Sequence, residues 1–158
     1  MKRESPSFFE LRQLKCIADI QFGIGSGNVL FPNNVLVERS KSTKRIRYVY
    51  LDEHRICSYR VTDGFLVLSL FGGELLHNAN CGNKVICHPD AEPFIRKSKS
   101  LFSQHVIDSG EYILVKDEVI ITNKTNEFLG VGTAKLSSFY MQHLKRGVAV
   151  NTRKGKKN

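Results

Sequence analysis

The stretch Phe-Leu-Gly-Val-Gly-Thr-Ala-Lys-Leu-Ser, residues 128–137, carries two glycines two positions apart, with Thr133 and Lys135 close behind. A loop that cradles a nucleotide phosphate lies between a strand and a helix, its glycines in the turn and its backbone N–H groups aimed at the anion. Here the preceding run, Glu-Val-Ile-Ile-Thr-Asn at 118–123, is rich in β-branched residues and reads as a strand, and Lys124, Thr125 and Asn126 turn it back. Gly130 and Gly132 therefore fall inside the returning strand of a hairpin, on one face, where glycine marks a bulge or the close approach of another element. Neither G-x-G-x-x-G nor G-x-x-x-x-G-K-[ST] is completed. The run GIGSG at 23–27 is set aside as well, because the residues after it read as strand and not as helix. Both glycine clusters are structural, and the chain points to a binding fold.

Working outward, Lys-Val-Ile-Cys at 84–87 reads as a strand, and Pro89 to Pro93 open a short helix with Asp90 as its N-cap and Phe94 and Ile95 as its apolar contribution. After the hairpin, Ser137 is placed to cap a helix on which Tyr140 and Leu144 share a face beside Met141. Lys145 and Arg146 suit the end of that helix, Gly147 its C′ position, and Val-Ala-Val-Asn-Thr at 148–152 forms a closing strand. At the front, Ser7 and Glu10 have capping-box spacing, and Leu11, Leu14 and Ala18 follow at helical intervals up to Gly23. Five β-rich pieces follow, at 28–31, 34–40, 45–52, 54–61 and 65–70, and then a short helix at 72–81. The fold class expected is α+β. Residues 1–80 form a small antiparallel sheet with two helices, and residues 81–158 a β-rich second domain with a basic tail.

The 158 residues are 41% hydrophobic and 25% charged, a globular composition, and no apolar run approaches membrane-spanning length. The first residues contain no apolar signal core, so a cytoplasmic protein without a membrane partner is expected. The net charge is +9. Residues 1–80 carry 11 basic and 8 acidic side chains, and residues 81–158 carry 13 and 7, so the excess lies in the second half. Such a chain favours polyanions, nucleic acid first among them. Cys16, Cys57, Cys81 and Cys87 lack C-x-x-C spacing, and Cys87 and His88, adjacent in a strand, point to opposite faces. No metal site and no cofactor is expected. His54, His77, His88, His105 and His143 are scattered, and no nucleophile–base pair is apparent.

The order of a strand, Asp-Ala-Glu-Pro-Phe-Ile-Arg (90–96), Ser-Leu-Phe (100–102), Lys-Asp-Glu-Val-Ile-Ile-Thr-Asn (116–123), the 128–137 stretch and Leu-Lys-Arg-Gly-Val-Ala-Val (144–150) resembles the PUA domain, an RNA-binding fold. Ala18 to Gly27, Leu30 to Pro32, Arg39 to Arg47 and Thr62 to Phe65 are similar to the domain that precedes the PUA module in archaeal tRNA-guanine transglycosylases and archaeosine synthases. The resemblance implies a PUA pseudo-barrel behind a pre-PUA domain, the tRNA-binding half of those enzymes. It has no counterpart of their catalytic barrel, aspartate nucleophile or cysteine-rich zinc motif.

By that resemblance the RNA surface comprises Arg96, Lys97, Ser98, Lys99, Ser100, Phe102 and Gln104, with Arg146, Gly147, Thr152, Arg153 and Lys154 alongside. Ser98 stands where the family usually has glycine. Phe102 reads as core packing beneath the loop, with base stacking as the alternative. The lysines read as RNA contacts or as a solvated helix end. Arg39, Lys41, Lys44, Arg45 and Arg47 place five basic residues within nine and form a second candidate RNA contact. The function expected is a noncatalytic protein that binds the acceptor stem and 3′ end of tRNA, as an accessory or split subunit beside a catalytic tRNA-modification partner of archaeosine type. The alternative is a translation or ribosome-assembly factor.

Overall fold

The computed structural model describes residues 2–158. The chain divides into two compact units, residues 1–81 and 82–158.

In the first unit, helix α1 (Phe8–Phe22) starts at the capping box. The Ser7 hydroxyl accepts from the Glu10 N–H at 3.2 Å, and the Glu10 carboxylate accepts from the Ser7 N–H at 2.8 Å. Leu14, Ala18 and Phe22 recur every four residues and are the buried stripe. The helix stops at Gly23, whose φ of +105° suits glycine. Residues 26–30, whose Asn-Val-Leu part reads as strand in sequence, instead form helix α2 (Ser26–Leu30). Five residues have no helical stability of their own. Tertiary contacts hold the turn: the Asp19 carboxylate accepts from the N–H groups of Gly25 (3.2 Å) and Gly27 (2.8 Å). Gly27 lies so close to α1 that a Cβ there would sit 2.4 Å from the Lys15 carbonyl oxygen. The GIGSG loop does precede a helix, but the anion at its N–H groups is the protein's own carboxylate.

Strands β1 (Arg3–Glu4), β2 (Leu36–Arg39), β3 (Ile46–Leu51), β4 (His54–Tyr59) and β5 (Leu66–Leu68) form an antiparallel sheet in that order. The short β1 has no signal in the sequence; pairing with β2 makes it a strand. Val37, Val49, Cys57 and Leu68 are successive cross-strand partners and are all buried. The neighbouring rung, Arg3, Glu38, Tyr48, Ser58 and Val67, occupies the opposite face. Helix α3 (Leu70–Asn78) begins at Ser69, whose hydroxyl accepts from the Gly72 N–H at 3.0 Å.

The second unit is a six-stranded, nearly closed sheet ordered β7-β11-β10-β9-β6-β8. Its strands are β6 (Lys84–Cys87), β7 (Leu101–Phe102), β8 (Val106–Ser109), β9 (Glu118–Thr122), β10 (Phe128–Ala134) and β11 (Val148–Gly155), antiparallel except for the parallel β6–β9 pair. Val85, Cys87, Ile95, Leu101, Val119, Ile121, Leu129, Met141 and Val150 are among the buried residues of its core. A 3-10 turn (Pro89–Ala91) leads into helix α4 (Glu92–Arg96), and its cap is His88, not Asp90: the imidazole Nδ1 accepts from the Asp90 N–H at 3.2 Å. Helix α5 (Ser138–His143) buries Ser138 and Met141 and leaves Tyr140 and Leu144 exposed. Their shared face is thus the outer one.

Gly130 and Gly132 lie in β10, whose register slips against β9 and β11 in this region. A Cβ on Gly130 would stand 2.6 Å from the Lys154 carbonyl oxygen, and one on Gly132 2.5 Å from that of Asn151. Gly155 on β11 meets α4: its Cβ would fall 2.0 Å from the Ile95 carbonyl oxygen.

Gly130→Val, Gly132→Val and Gly155→Ala should each destabilise the protein by about 1–3 kcal/mol, because the obstacle is backbone. Thermal melts followed by circular dichroism test this, and unchanged midpoints for all three would contradict it. Stability should also fall with acid through Glu10. Arg39 grips that carboxylate with both terminal nitrogens at 2.7 and 2.8 Å, and the guanidinium holds its pKa at about 2. A carboxylate whose folded pKa is depressed stabilises fully above its unfolded value and loses that contribution as pH falls through the folded one. Arg39→Ala should therefore lower the melting temperature clearly at pH 7 and much less near pH 2.5.

Candidate nucleic-acid interface

In the second unit, α4 ends in a basic loop that crosses to β7, and β7 lies against β11, with Leu101 opposite Val150 and Phe102 opposite Val148. The Ser103 N–H donates to the Gly147 carbonyl at 2.9 Å, which sets the Arg146–Gly147 corner beside Phe102. The Ser98 hydroxyl accepts from the Gly155 N–H at 2.9 Å, and the Ser100 hydroxyl lies 3.5 Å from the Asn151 side-chain oxygen. Residues 96–104 thus share one surface with the distant segments 146–147 and 151–155.

Ser98 has φ of +62°, a left-handed conformation that explains why glycine suits this position. The serine bears the conformational cost and offsets it with the hydrogen bond to Gly155.

Not every cation on this surface is available. Arg96 is clamped by Glu92 at 3.0 Å and Glu127 at 2.7 Å and donates to the Lys156 carbonyl at 3.2 Å. In return, its hydrogen bond holds the Glu127 carboxyl below the usual range. Arg153 pairs with the buried carboxylate of Glu118, and the Thr152 side chain is buried. These three serve the fold. Lys97, Lys99, Lys154 and Arg146 are exposed, and among the described residues no carboxylate lies within ion-pair distance of them.

Phe102 does not pack in the core. It is 48% exposed, and Phe94 is 59% exposed. Together with Ala91, Lys99, Ser100, Gln104 and His105 they line a depression of about 490 Å³ whose wall is mostly carbon. Phe94 and His105 were missed by sequence reasoning. The available signal was that neighbours on a one-turn helix cannot both face inward, and here Ile95 takes the core and Phe94 the solvent. A depression with aromatic walls and a cationic rim can hold a stacked base while lysines contact its phosphates.

In the first unit the five basic residues around 39–47 separate. Arg39 is bound to Glu4 and Glu10 and also donates to the Lys44 carbonyl at 3.3 Å, so it is a structural strut. Lys41 and Lys44 stand on the exposed β2–β3 loop, where Lys44 has φ of +60°. Arg45 precedes β3 and lines a separate depression with Glu10, Gln13 and Tyr59. Arg47 is exposed on β3.

The buried Cys57 and Cys87 thiols are both held protonated by desolvation, that of Cys87 at about 11. Among the described residues no three His, Cys, Asp or Glu side chains are grouped to hold a metal ion. Among the described residues no helix is long and apolar enough to cross a membrane.

Residues 12–82 match the family described as the patch-forming domain C2 of tRNA-guanine transglycosylase, and residues 83–156 match the PUA domain. The tRNA-guanine(15) transglycosylase of Methanobrevibacter smithii is 40% identical over 150 residues, covering 94% of this chain and 23% of the relative. That of Methanosphaera stadtmanae is 42% identical over 153 residues, with the same two coverages. The chain therefore spans about a quarter of the length of the curated relatives it matches. Among solved structures, a hypothetical protein from Pyrococcus horikoshii superimposes with a TM-score of 0.75 over 99% of this chain and 96% of its own, at 15% identity. A conserved PUA domain protein from Thermoplasma acidophilum does so at 0.70, over 99% and 95%, at 18% identity, which extends the likeness of fold. The chain carries a match to the C2 domain of tRNA-guanine transglycosylase followed by a PUA domain, and it resembles the C-terminal part of the archaeal tRNA-guanine(15) transglycosylases.

Proposed function

We propose that this chain is a noncatalytic RNA-binding protein of the cytoplasm that takes the acceptor stem and 3′ end of tRNA on its second unit. In this reading it serves a tRNA modification of archaeosine type as the accessory or split subunit, beside a catalytic partner. The observation that carries the reading is the pairing of the Phe94–Phe102 depression with Lys97 and Lys99. Splayed single-stranded bases are recognised by stacking on aromatic rings, while phosphate contacts set affinity and its salt dependence. A 3′ overhang beside a helical stem presents both to one surface. The relatives' name supports tRNA as the RNA, and their greater length supports a catalytic portion beyond the segment this chain matches.

The test is binding to full-length tRNA, to the same tRNA without its 3′ CCA, and to a plain RNA duplex, each at two salt concentrations. Intact tRNA should bind best at the higher salt. Lys97→Glu with Lys99→Glu should weaken binding to intact tRNA by on the order of tenfold or more without lowering the melting temperature, and Phe102→Ala should remove the preference for the CCA end. Arg96→Ala should instead lower the melting temperature, since it strands Glu92 and Glu127. Equal binding of all three RNAs, or an unaffected lysine double variant, would overturn the reading. Co-sedimentation with ribosomal particles in place of tRNA capture would favour a ribosome-assembly role.

A further inference from the structure

The sheet face of the first unit opposite its buried Val37–Val49–Cys57–Leu68 rung carries an arrangement that the PUA surface does not need. Tyr48 lies in the middle of the opposed rung, between Glu38 on β2 and Ser58 on β4. Two guanidiniums converge on its ring, Arg47 at 5.1 Å and Arg55 at 5.0 Å from the centroid. Both arginines are exposed, and among the described residues neither has a carboxylate within ion-pair distance. The neighbouring Arg3, by contrast, covers the Tyr50 ring at 3.8 Å and is paired with Glu53 at 3.3 Å. Arg47 also shares a depression of about 420 Å³ with Lys41 and the serines Ser40 and Ser42.

A tyrosine ring attracts and orients one guanidinium, but it does not neutralise two. Two like charges held within 5.1 Å of one ring centroid repel each other, and a bound anion relieves that repulsion. Guanidiniums donate to phosphate oxygens in a fixed fork, and the flanking lysine and hydroxyls add donors suited to the same group. The ring supplies position and the arginines supply charge. Phosphate oxygens are alike at every nucleotide, so contacts made to them carry no sequence information.

We propose that Arg47 and Arg55, held by Tyr48 and extended by Lys41, form a second RNA contact that binds backbone phosphates without regard to sequence, separate from the PUA surface. This rests on the RNA-binding reading above. It departs from the basic cluster visible in the sequence: Arg39 is excluded, because Glu4 and Glu10 already neutralise it, Lys44 and Arg45 are left out, Arg45 lining a different depression, and Arg55 is included, because the β3–β4 pairing brings it to Tyr48.

The experiment uses the full chain and measures affinity for intact tRNA, and for tRNA lacking CCA, across a series of salt concentrations. Arg47→Glu with Arg55→Glu should lower affinity at low salt by on the order of tenfold. It should also flatten the salt dependence by roughly 0.7–0.9 in log–log slope for each phosphate that the variant no longer neutralises, as polyelectrolyte theory sets it. The preference for the CCA end should be unchanged. Arg47→Lys with Arg55→Lys, which keeps the charge, should retain most of the slope, and Tyr48→Ala should lose part of the affinity by freeing the two arginines. Melting curves confirm that each variant is folded.

The Phe102→Ala variant separates the two readings, since it should abolish the CCA preference and leave the Arg47–Arg55 effect in place. An unchanged slope in a folded Arg47→Glu, Arg55→Glu variant would overturn the second contact while leaving the PUA surface standing. So would binding of this face to phosphatidylserine vesicles with tRNA affinity unaffected. Loss of all discrimination among RNAs in the unmodified protein would instead overturn the PUA reading.

Discussion

The close approach of β11 to β10 on one side and to the end of α4 on the other is the constraint around which the second unit is arranged. It is possible only where side chains are missing, at Gly130, Gly132 and Gly155, since a single Cβ at any of them would fall within 2.6 Å of a carbonyl oxygen. Because β11 is held there, the loop leaving α4 can run along it, and Ser98 can take the Gly155 N–H. The surface made by 96–104, 146–147 and 151–155 is thus a consequence of backbone packing. Its chemistry, lysines around two exposed phenylalanines, is added at positions the packing leaves open.

Charge in this protein is sorted by partnership more than by amount. Arg39, Arg96 and Arg153 each face at least one carboxylate and tie elements together: Arg39 joins β2 to β1 and α1, Arg96 joins α4 to the β9–β10 turn, and Arg153 joins β11 to β9. Breaking such a pair leaves a half-buried charge without its counter-ion and costs stability. Among the described residues Lys97, Lys99, Arg47 and Arg55 have no such partner, and they cost little to hold in water. A net charge of +9 therefore overstates neither surface nor core; it conceals the division between them.

The α+β class, the capping box that starts α1, and the hairpin in which Gly130 and Gly132 sit were legible in the sequence, because each rests on interactions within a few residues or on a two-residue alternation. The order of motifs that resembles a PUA domain behind a transglycosylase C2 domain was legible for the same reason, as a linear pattern. Residues 28–30 read as strand in the sequence because what makes them helical, the Asp19 carboxylate and the backbone of α1 at Lys15, comes from outside the segment.

Side-chain fate belongs to the tertiary structure alone. Phe94 and Ile95 are neighbours of similar hydropathy, yet one is 59% exposed and the other 0%, because a one-turn helix turns a single edge to the barrel. Phe102 is opposite Val148 on an edge strand, so its ring faces outward although its neighbour Leu101 is in the core. Arg39 and Arg47 are alike in sequence, and only the folding of β1 and α1 against β2 gives carboxylates to the first and not to the second. By itself the sequence determined the elements and the excess of positive charge, because those depend on local pattern and composition. Which cations remain free to meet an anion depends on long-range pairing, which exists only once the strands have met.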